Sequence, residues 1–419
     1  MSTSGYFPAV EDIIKASNTL AEILEPTPFR MNEHLSQTYN ANVYLKREDL
    51  QMVRSYKIRG AYNKIRSIAP ENLVNGIVCA SAGNHAQGVA FSCNKLKIKG
   101  SIYMPTTTPR QKINQVRMFG KEYIEIVLTG DTFDAANKAA IEYARDSNKT
   151  FIPPFDDKQI IEGQGTIGYE ILQQSKEPLD FVFVPIGGGG LASGVGSYIK
   201  RMSPSTKVIG VEPAGAACMK TAIEKGEVIE LEHIDKFVDG AAVKKAGMLT
   251  YEICKEVLDD IILVPEGAVC TSIIDMYNKN AIVVEPAGAL SVAALRFYAD
   301  QIKGKRVACI VSGSNNDIIR MEEIREKSLL YEGLKHYFIV NFPQKSGVIL
   351  SFIRDIVGPD ADLVHFQYIK KTNKDFGPAL VGIEVTDRCV IEDITKRMTE
   401  HNLSFEYINE NNKLFEILI

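Results

Sequence analysis

Short, nearly unbroken apolar runs alternate with longer stretches of helical periodicity through most of the chain. GIVCA (76–80), SIYMP (101–105), YIEIVL (123–128), FVFVPI (181–186), KVIGVE (207–212) and RVACIVS (306–312) read as strands. Between them, segments such as DTFDAANKAAIEYARDS (131–147) and GALSVAALRFYAD (288–300) predict helices. Strands apolar on both faces and separated by helices predict parallel sheets covered on both sides. The pattern changes after about residue 330. A charged helix is predicted over IIRMEEIREKSLLYEG (318–333), ending at a glycine. HYFIVNF then reads as a strand, SGVILSFIRDIVG as a helix, LVHFQYIKK and PALVGIEVT as strands and VIEDITKRMTEHN as a helix, and FEYI and LFEIL close the chain. That order is roughly β-α-β-β-α-β, a ferredoxin-like α+β arrangement. The expected division is an α/β body over 1–330 and a small domain over 331–419.

Composition narrows the class of function. The net charge is −4 and the pI about 6.0, with no basic patch, so nucleic acid is not expected as a partner. The start, MSTSGYFPAVEDI, has no basic region followed by an apolar run, and no run of 18 apolar residues occurs. Neither a signal peptide nor a membrane span is therefore expected, and the cytoplasm is the expected location. Seven cysteines are scattered without a C-x-x-C pair, as expected of free thiols in a reducing compartment. The six histidines show no ligand spacing, so no structural metal is expected.

Three strand-to-helix junctions carry candidate chemistry. In CASAGNHAQGVAFSC (79–93), the small residues Ser81, Ala82 and Gly83, with Asn84 and His85, sit where a helix begins. Free backbone N–H groups there suit an anion, although a plain Gly-turn helix start gives the same residues. In FVFVPIGGGGLASGVGSYIK (181–200), Gly187, Gly188, Gly189 and Gly190 precede Leu191. Four consecutive glycines lose much conformational entropy on folding, which makes sense where backbone wraps a phosphate at a helix N-terminus. The run lacks the Walker lysine and the G-x-G-x-x-G spacing, so neither a nucleoside triphosphate nor a dinucleotide is favoured. In CIVSGSNND (309–317), Ser312 follows an apolar strand at the edge where α/β proteins hold ligands. A lysine, Lys57, lies in VRSYKIRGAYNKI (53–65) beside Tyr56. A phosphate cradle, a second anion site and a lysine amine together fit pyridoxal 5'-phosphate, whose aldehyde a lysine captures as a Schiff base.

The set resembles the fold-type II pyridoxal-phosphate enzymes, the tryptophan synthase β family, and most of all their threonine/serine dehydratase branch. SYKIRGA is similar to S-F-K-x-R-G-A with Tyr56 for the usual Phe; SAGNHAQG and GGGGL match as they stand; SGSNND resembles S-G-x-N; EPAGAL (285–290) is also typical. The matches run in order through residues 15 to 325. The resemblance implies a two-lobed parallel-sheet body, with a small lobe of roughly 50–150 inserted in the large lobe. It implies that Lys57 carries the cofactor, Tyr56 packs at its ring, Asn84 bonds the pyridine hydroxyl, Gly187 to Leu191 hold the phosphate and Ser312 faces the pyridine nitrogen. Substrate carboxylate would lie on the backbone of Ser81, Ala82, Gly83, Asn84 and His85. Arg54 and Arg59 are expected to make structural or surface ion pairs.

A serine opposite the pyridine nitrogen makes a milder electron sink than an aspartate. That suits α,β-elimination from threonine and suits transamination poorly. The related serine racemases carry S-S-G-N-H, with the second serine as acid/base; here that position is Ala82. Their divalent-cation set also departs, with Glu212 and Ala216 in place but Cys218 where an aspartate is expected. Both departures favour a dehydratase over a racemase. A serine-preferring dehydratase, a cysteine-type β-replacement enzyme and a cofactor-binding sensor without turnover stay open as alternatives. The C-terminal segment resembles the ACT-like regulatory module of biosynthetic threonine dehydratases. That implies L-isoleucine as an effector and a homotetramer, with oligomer contacts alone as the other role.

Overall fold

The computed structural model describes residues 5–368, 374–411 and 414–415. The chain divides into two compact units, Met1–Ile318 and Ile319–Ile419. In the first, β1 (Phe29–Met31) runs antiparallel to β2 (Asn42–Arg47). Next, β3 (Ile77–Ala80), β4 (Gly100–Met104), β5 (Ile124–Leu128) and β6 (Thr150–Phe151) form a parallel sheet in the order β5-β4-β3-β6. Then β7 (Phe181–Pro185), β8 (Lys207–Pro213), β9 (Asp260–Val264) and β10 (Arg306–Val311) return to β2. The large sheet reads β1-β2-β10-β7-β8-β9 and is parallel apart from β1. The four-stranded sheet is thus an excursion of the chain between β2 and β7.

The six apolar runs form β3, β4, β5, β7, β8 and β10, each within one residue of its expected bounds. The reading missed β2, which carries Lys46 and Arg47. Lys46 is fully buried and donates to Thr27 O, Glu170 Oε2 and Gln174 Oε1, so its charge is met inside the fold by groups distant in sequence. The helix expected over 288–300 runs only from Pro286 to Ala293, tightens into a 3₁₀ turn over Ala294–Phe297 and breaks at Tyr298. There the Tyr298 ring packs edge-on against Phe181 and Phe183, and its hydroxyl donates to Asp260.

Glycines set the helix crossings that position the site. The helix Lys57–Ser67 crosses the helix Lys158–Gln174 at Gly60 and Gly163; a Cβ on Gly163 would lie 2.7 Å from Gly60 Cα. Behind the large sheet, a Cβ on Gly194 would lie 2.3 Å from Ile161 O, so the helix Gly190–Met202 also approaches backbone to backbone. Val182, Val184, Val195, Ile199 and Ile310 fill the large-sheet core, and Ile65, Ile77, Val89, Ile102 and Met104 the smaller one.

In the second unit, β11 (Lys335–Pro343), β12 (Ala361–Tyr368), β13 (Phe376–Val385) and β14 (Ser404–Tyr407) form an antiparallel sheet ordered β12-β13-β11-β14. Helix Val348–Ser351, continued by a π turn over Phe352–Val357, follows β11, and helix Val390–Glu400 follows β13. This is the β-α-β-β-α-β order. Residues 369–371 of the expected strand LVHFQYIKK lie outside the described residues. Of the closing segment LFEIL, Leu414 and Phe415 form a helical turn capped by Asn411, and 416–418 lie outside the described residues.

Candidate active site

Lys57 is the first residue of its helix, with Tyr56 immediately before it. The loop leading in turns at Arg54 (φ +58) and is tied to the strand-β10 turn: Tyr56 N donates to Ser312 O at 3.1 Å, and Ser55 bridges Gly313. Lys57 Nζ donates to Pro154 O at 2.9 Å and lies 5.3 Å from the Tyr56 ring centre. Burial draws the amine down to about 8, against the pull of the Glu285 carboxylate, which raises it. Desolvation is the cause of the depression, and no cationic neighbour adds to it.

Strand β3 ends one residue before Ser81, whose Oγ accepts from Gly83 N at 3.2 Å. The helix Asn84–Leu96 starts without a side-chain cap, and a Cβ on Gly83 would meet nothing within 4 Å. Ala82 is half-buried beside it. This helix packs on the Lys57 helix at Gly88, where a Cβ would lie 3.1 Å from Lys57 O. His85 is turned inward: Nε2 donates to Ile152 O at 3.0 Å, and burial, with Lys57 nearby, pushes the imidazole down to about 3. It is a fixed neutral group.

The glycine run is backed on both sides. Cβ atoms on Gly188 and Gly190 would meet Phe155 at 2.4 and 3.0 Å, and one on Gly189, at φ +95, would meet Met219 and Thr250. Thr250 Oγ1 donates to Gly188 O at 2.6 Å, while Cys218 Sγ donates to Gly187 O at 3.5 Å. The helix that starts at Gly190 also lacks a side-chain cap. Leu191 is buried in the large-sheet core, so it offers the loop only backbone. The segment Pro154–Phe155 joins this loop to Lys57: one carbonyl holds the amine and the next ring supports the glycines. Sequence reasoning missed it, since a main-chain acceptor has no side-chain signature.

Ser312 is buried, its Oγ donating to Ala287 O at 3.1 Å. Asn84 reaches the same region: Nδ2 donates to Glu285 Oε1 at 2.6 Å, and Oδ1 accepts from Asn315 Nδ2 at 2.5 Å. The structure thus brings Tyr56, Lys57, Asn84 and Ser312 together and links them to the glycine loop through Pro154–Phe155. Arg59 faces away into a buried ion-pair network. Glu212 accepts from Met219 N and Lys220 N, both at 2.8 Å, and burial pushes its carboxyl up to about 7. Among the described residues no group of three or more His, Cys, Asp or Glu is arranged to hold a metal ion.

Two uncapped helix N-termini flank one desolvated amine. Most of the described helices lack a side-chain cap, Glu33–Tyr39, Phe133–Asp146 and Lys158–Gln174 being capped by Asn32, Thr132 and Asp157; what sets these two apart is their place beside the Lys57 helix and the Pro154–Phe155 segment. Such a donor set fits two anionic groups and a carbonyl that the amine can attack. Residues 20–313 match the family of pyridoxal-phosphate dependent enzymes. The chain belongs to that family. Residues 326–418 match the C-terminal regulatory domain of threonine dehydratase. The biosynthetic L-threonine dehydratase of Halalkalibacterium halodurans is 57% identical over 98% of this chain and 99% of its own. The processed form of threonine deaminase isoform 2 from Solanum lycopersicum superposes with a TM-score of 0.72 at 38% identity, over 78% of this chain and 96% of that one. Serine racemase from Dictyostelium discoideum does so at 0.69 and 30%, over 74% and 99%. Within its family the chain stands with the biosynthetic threonine dehydratases that carry one regulatory domain. Its cofactor is pyridoxal 5'-phosphate.

Proposed function

We propose that the protein is an L-threonine ammonia-lyase, which dehydrates and deaminates threonine to 2-oxobutyrate and ammonia. The observation that carries this reading is the supply of one proton-transferring group. Lys57 has an amine drawn down to about 8, so a neutral fraction is present near neutral pH to take a proton from carbon. On the side of the Ser81–His85 loop, Ala82 has no proton to give and His85 is locked on Ile152 O. A racemase must deliver a proton from the second face, and Ala82, at the position where the racemases carry their second serine, has none to deliver.

Pyridoxal phosphate, when bound, supplies a conjugated system that draws negative charge from the α-carbon of an attached amino acid. Lys57 would hold it, Gly187 to Leu191 would bind its phosphate through backbone N–H groups, and Asn84 and Ser312 would contact its ring. The first turn of the helix at Asn84, with Ser81 and Gly83 before it, receives the substrate carboxylate, where the helix dipole favours negative charge. Lys57 Nζ takes the α-proton, and that proton is passed on to the departing β-hydroxyl, so that H and OH leave together as water and the amine is neutral again. The released enamine tautomerises and hydrolyses, so one threonine gives one 2-oxobutyrate and one ammonia. Isoleucine acts on the C-terminal domain as inhibitor, the assembly is a homotetramer, and the enzyme works in the cytoplasm. No helix among the described residues is long and apolar enough to cross a membrane.

The test is 2-oxobutyrate formation from L-threonine by purified, cofactor-loaded protein, with and without L-isoleucine. Turnover suppressed by isoleucine is expected. Turnover indifferent to isoleucine sinks the effector assignment alone, and formation of D-allothreonine without 2-oxo acid sinks the lyase.

A further inference from the structure

Glu285 belongs to none of the roles assigned above, yet it is buried against the site. Its carboxyl sits in a chamber walled by glycine backbone. A Cβ on Gly313 would lie 2.4 Å from Glu285 Oε1, and one on Gly240 would lie 3.4 Å from it. A Cβ on Gly288, in the first turn of the following helix, would lie 2.1 Å from Gly313 O. Side chains at these points would close the space the carboxyl occupies.

The hydrogen bonds fix one orientation. Val53 O can only accept, and Asn315 Nδ2 donates to it at 2.9 Å. The same Nδ2 donates to Asn84, so the Asn84 atom facing it is the oxygen. The Asn84 nitrogen therefore faces Glu285, which accepts at 2.6 Å. An amide nitrogen has two hydrogens, so one N–H of Asn84 remains to contact a ligand. Glu285 and Asn315 decide which end of Asn84 meets the cofactor, and Glu285 also sets its charge against Lys57.

We propose that Glu285 is a positioning residue of the reaction: it fixes the Asn84 amide with its nitrogen toward the ring site, and it sets a negative charge across Gly313 from Ser55, at the entry to the Lys57 helix. The proposal rests on the lyase reading only for its activity readout. The charged and titratable groups around Glu285 come from three elements: Tyr56 and Lys57 stand at the start of one helix, Lys112 lies on another, and Asp239 lies in the loop before Gly240; the neutral Asn84 amide heads a further helix. Burial and Asp239 raise the Glu285 carboxyl to about 7, while the Asn84 hydrogen bond and Lys112 lower it. Lys112 Nζ and Asp239 Oδ2 pair at 2.6 Å, so one exposed ion pair presents both signs to the buried group.

The test uses E285Q, which keeps an acceptor of the same shape and removes the charge, with D239N and K112M as variants at less buried positions. Two readouts are taken. One is the pH dependence of lysine acylation at Lys57 in cofactor-free protein, followed by peptide mass analysis. The other is the pH dependence of kcat/KM and of cofactor absorbance in loaded protein. In E285Q the Lys57 titration falls to lower pH, acylation at a fixed pH below it rises about threefold or more, and the step near pH 7 leaves the loaded-protein profile. D239N moves that step to lower pH and K112M moves it to higher pH. Opposite shifts are the signature that a merely structural glutamate would not produce. If E285Q proves unfolded, the two surface variants carry the test alone. Unchanged Lys57 titration in E285Q, or shifts of the same sign or none in the pair, overturns the proposal. Should the native protein make no 2-oxo acid, the lyase reading fails, while acylation and absorbance still decide the role of Glu285.

Discussion

Two cations two residues apart on one helix, Lys57 and Arg59, meet opposite environments. Arg59 is buried with two carboxylates. It donates to both oxygens of Glu48 at 2.8 Å each and to Glu170 Oε1 and Oε2 at 2.6 and 2.9 Å. Lys46 joins on Glu170, giving two cations and two carboxylates that neutralise one another. Thr27, Gln51 and Thr166 take up remaining hydrogen-bonding capacity. Lys57 has one carbonyl acceptor, from Pro154, and one carboxylate acting on it, Glu285, which is itself raised toward neutrality. The result is that Arg59 is held charged well above its ordinary range, while Lys57 is drawn down to about 8. Arg59 is fully buried and Lys57 partly so; what separates them most is compensation. Full compensation makes a structural fastener, and partial compensation leaves a reactive amine.

Lys57→Ala breaks the comparison on its chemical side. The rate of 2-oxobutyrate formation should fall by at least about a thousandfold. Melting of the cofactor-free protein should be unchanged or slightly raised, because a desolvated amine has been removed. Steady-state kinetics and calorimetry on one preparation read both. Arg59→Met breaks the structural side. It strands Glu48 and Glu170 without their principal partner and should cost about 3–5 kcal/mol of stability. Denaturant unfolding of the cofactor-free protein measures it. Equal damage to stability from both variants would end the distinction.

The same contrast explains what the sequence made legible. Apolar strands and glycine runs announce themselves locally, because burial on both faces and close backbone approach restrict residue type within a short window. Lys57 was legible through its neighbours Tyr56, Arg59 and Gly60. Strand β2 was not, since the charge of Lys46 is cancelled by Glu170, far along the chain. EPAGAL stood out as a motif, but Glu285 had no role until folding placed it on Asn84. Phe155 gave no signal because it supports Gly188 and Gly190 through shape alone.

Stability against pH sharpens the comparison at its two ends. Lys57 has a folded value of about 8 against an ordinary 10.5. Between those limits the unfolded chain binds more protons, so this group makes the folded state more stable as pH rises from about 8 to 10.5. Subtracting the curve of Lys57→Met from that of native cofactor-free protein should isolate a rise on the order of 3 kcal/mol across that window. Glu48 is depressed by Arg59, Lys46 and Thr27 even though burial opposes it. Its contribution is present above the ordinary carboxylate range and is lost as pH falls through its folded value. Arg59→Met should therefore flatten the acid limb and leave the alkaline one.

The smallest effect belongs to Gly83→Ala. The residue has φ −132, outside the left-handed region, and an added Cβ meets nothing within 4 Å. Neither strain nor overlap opposes the methyl group, so unfolding should shift by less than about 0.5 kcal/mol. The methyl would instead stand before the uncapped helix N-terminus assigned to the substrate carboxylate. KM for threonine should rise about threefold or more while cofactor binding stays as it was, because a uniform loss of binding moves KM and leaves kcat. Gly189→Ala is the control. At φ +95, with Thr250 at 2.8 Å, it strains the chain and crowds the phosphate loop, so stability and cofactor affinity should fall together. An unchanged KM in Gly83→Ala would move the carboxylate site away from this helix. The reactive side of Lys57 would then face a partner other than the one its uncapped neighbour suggests.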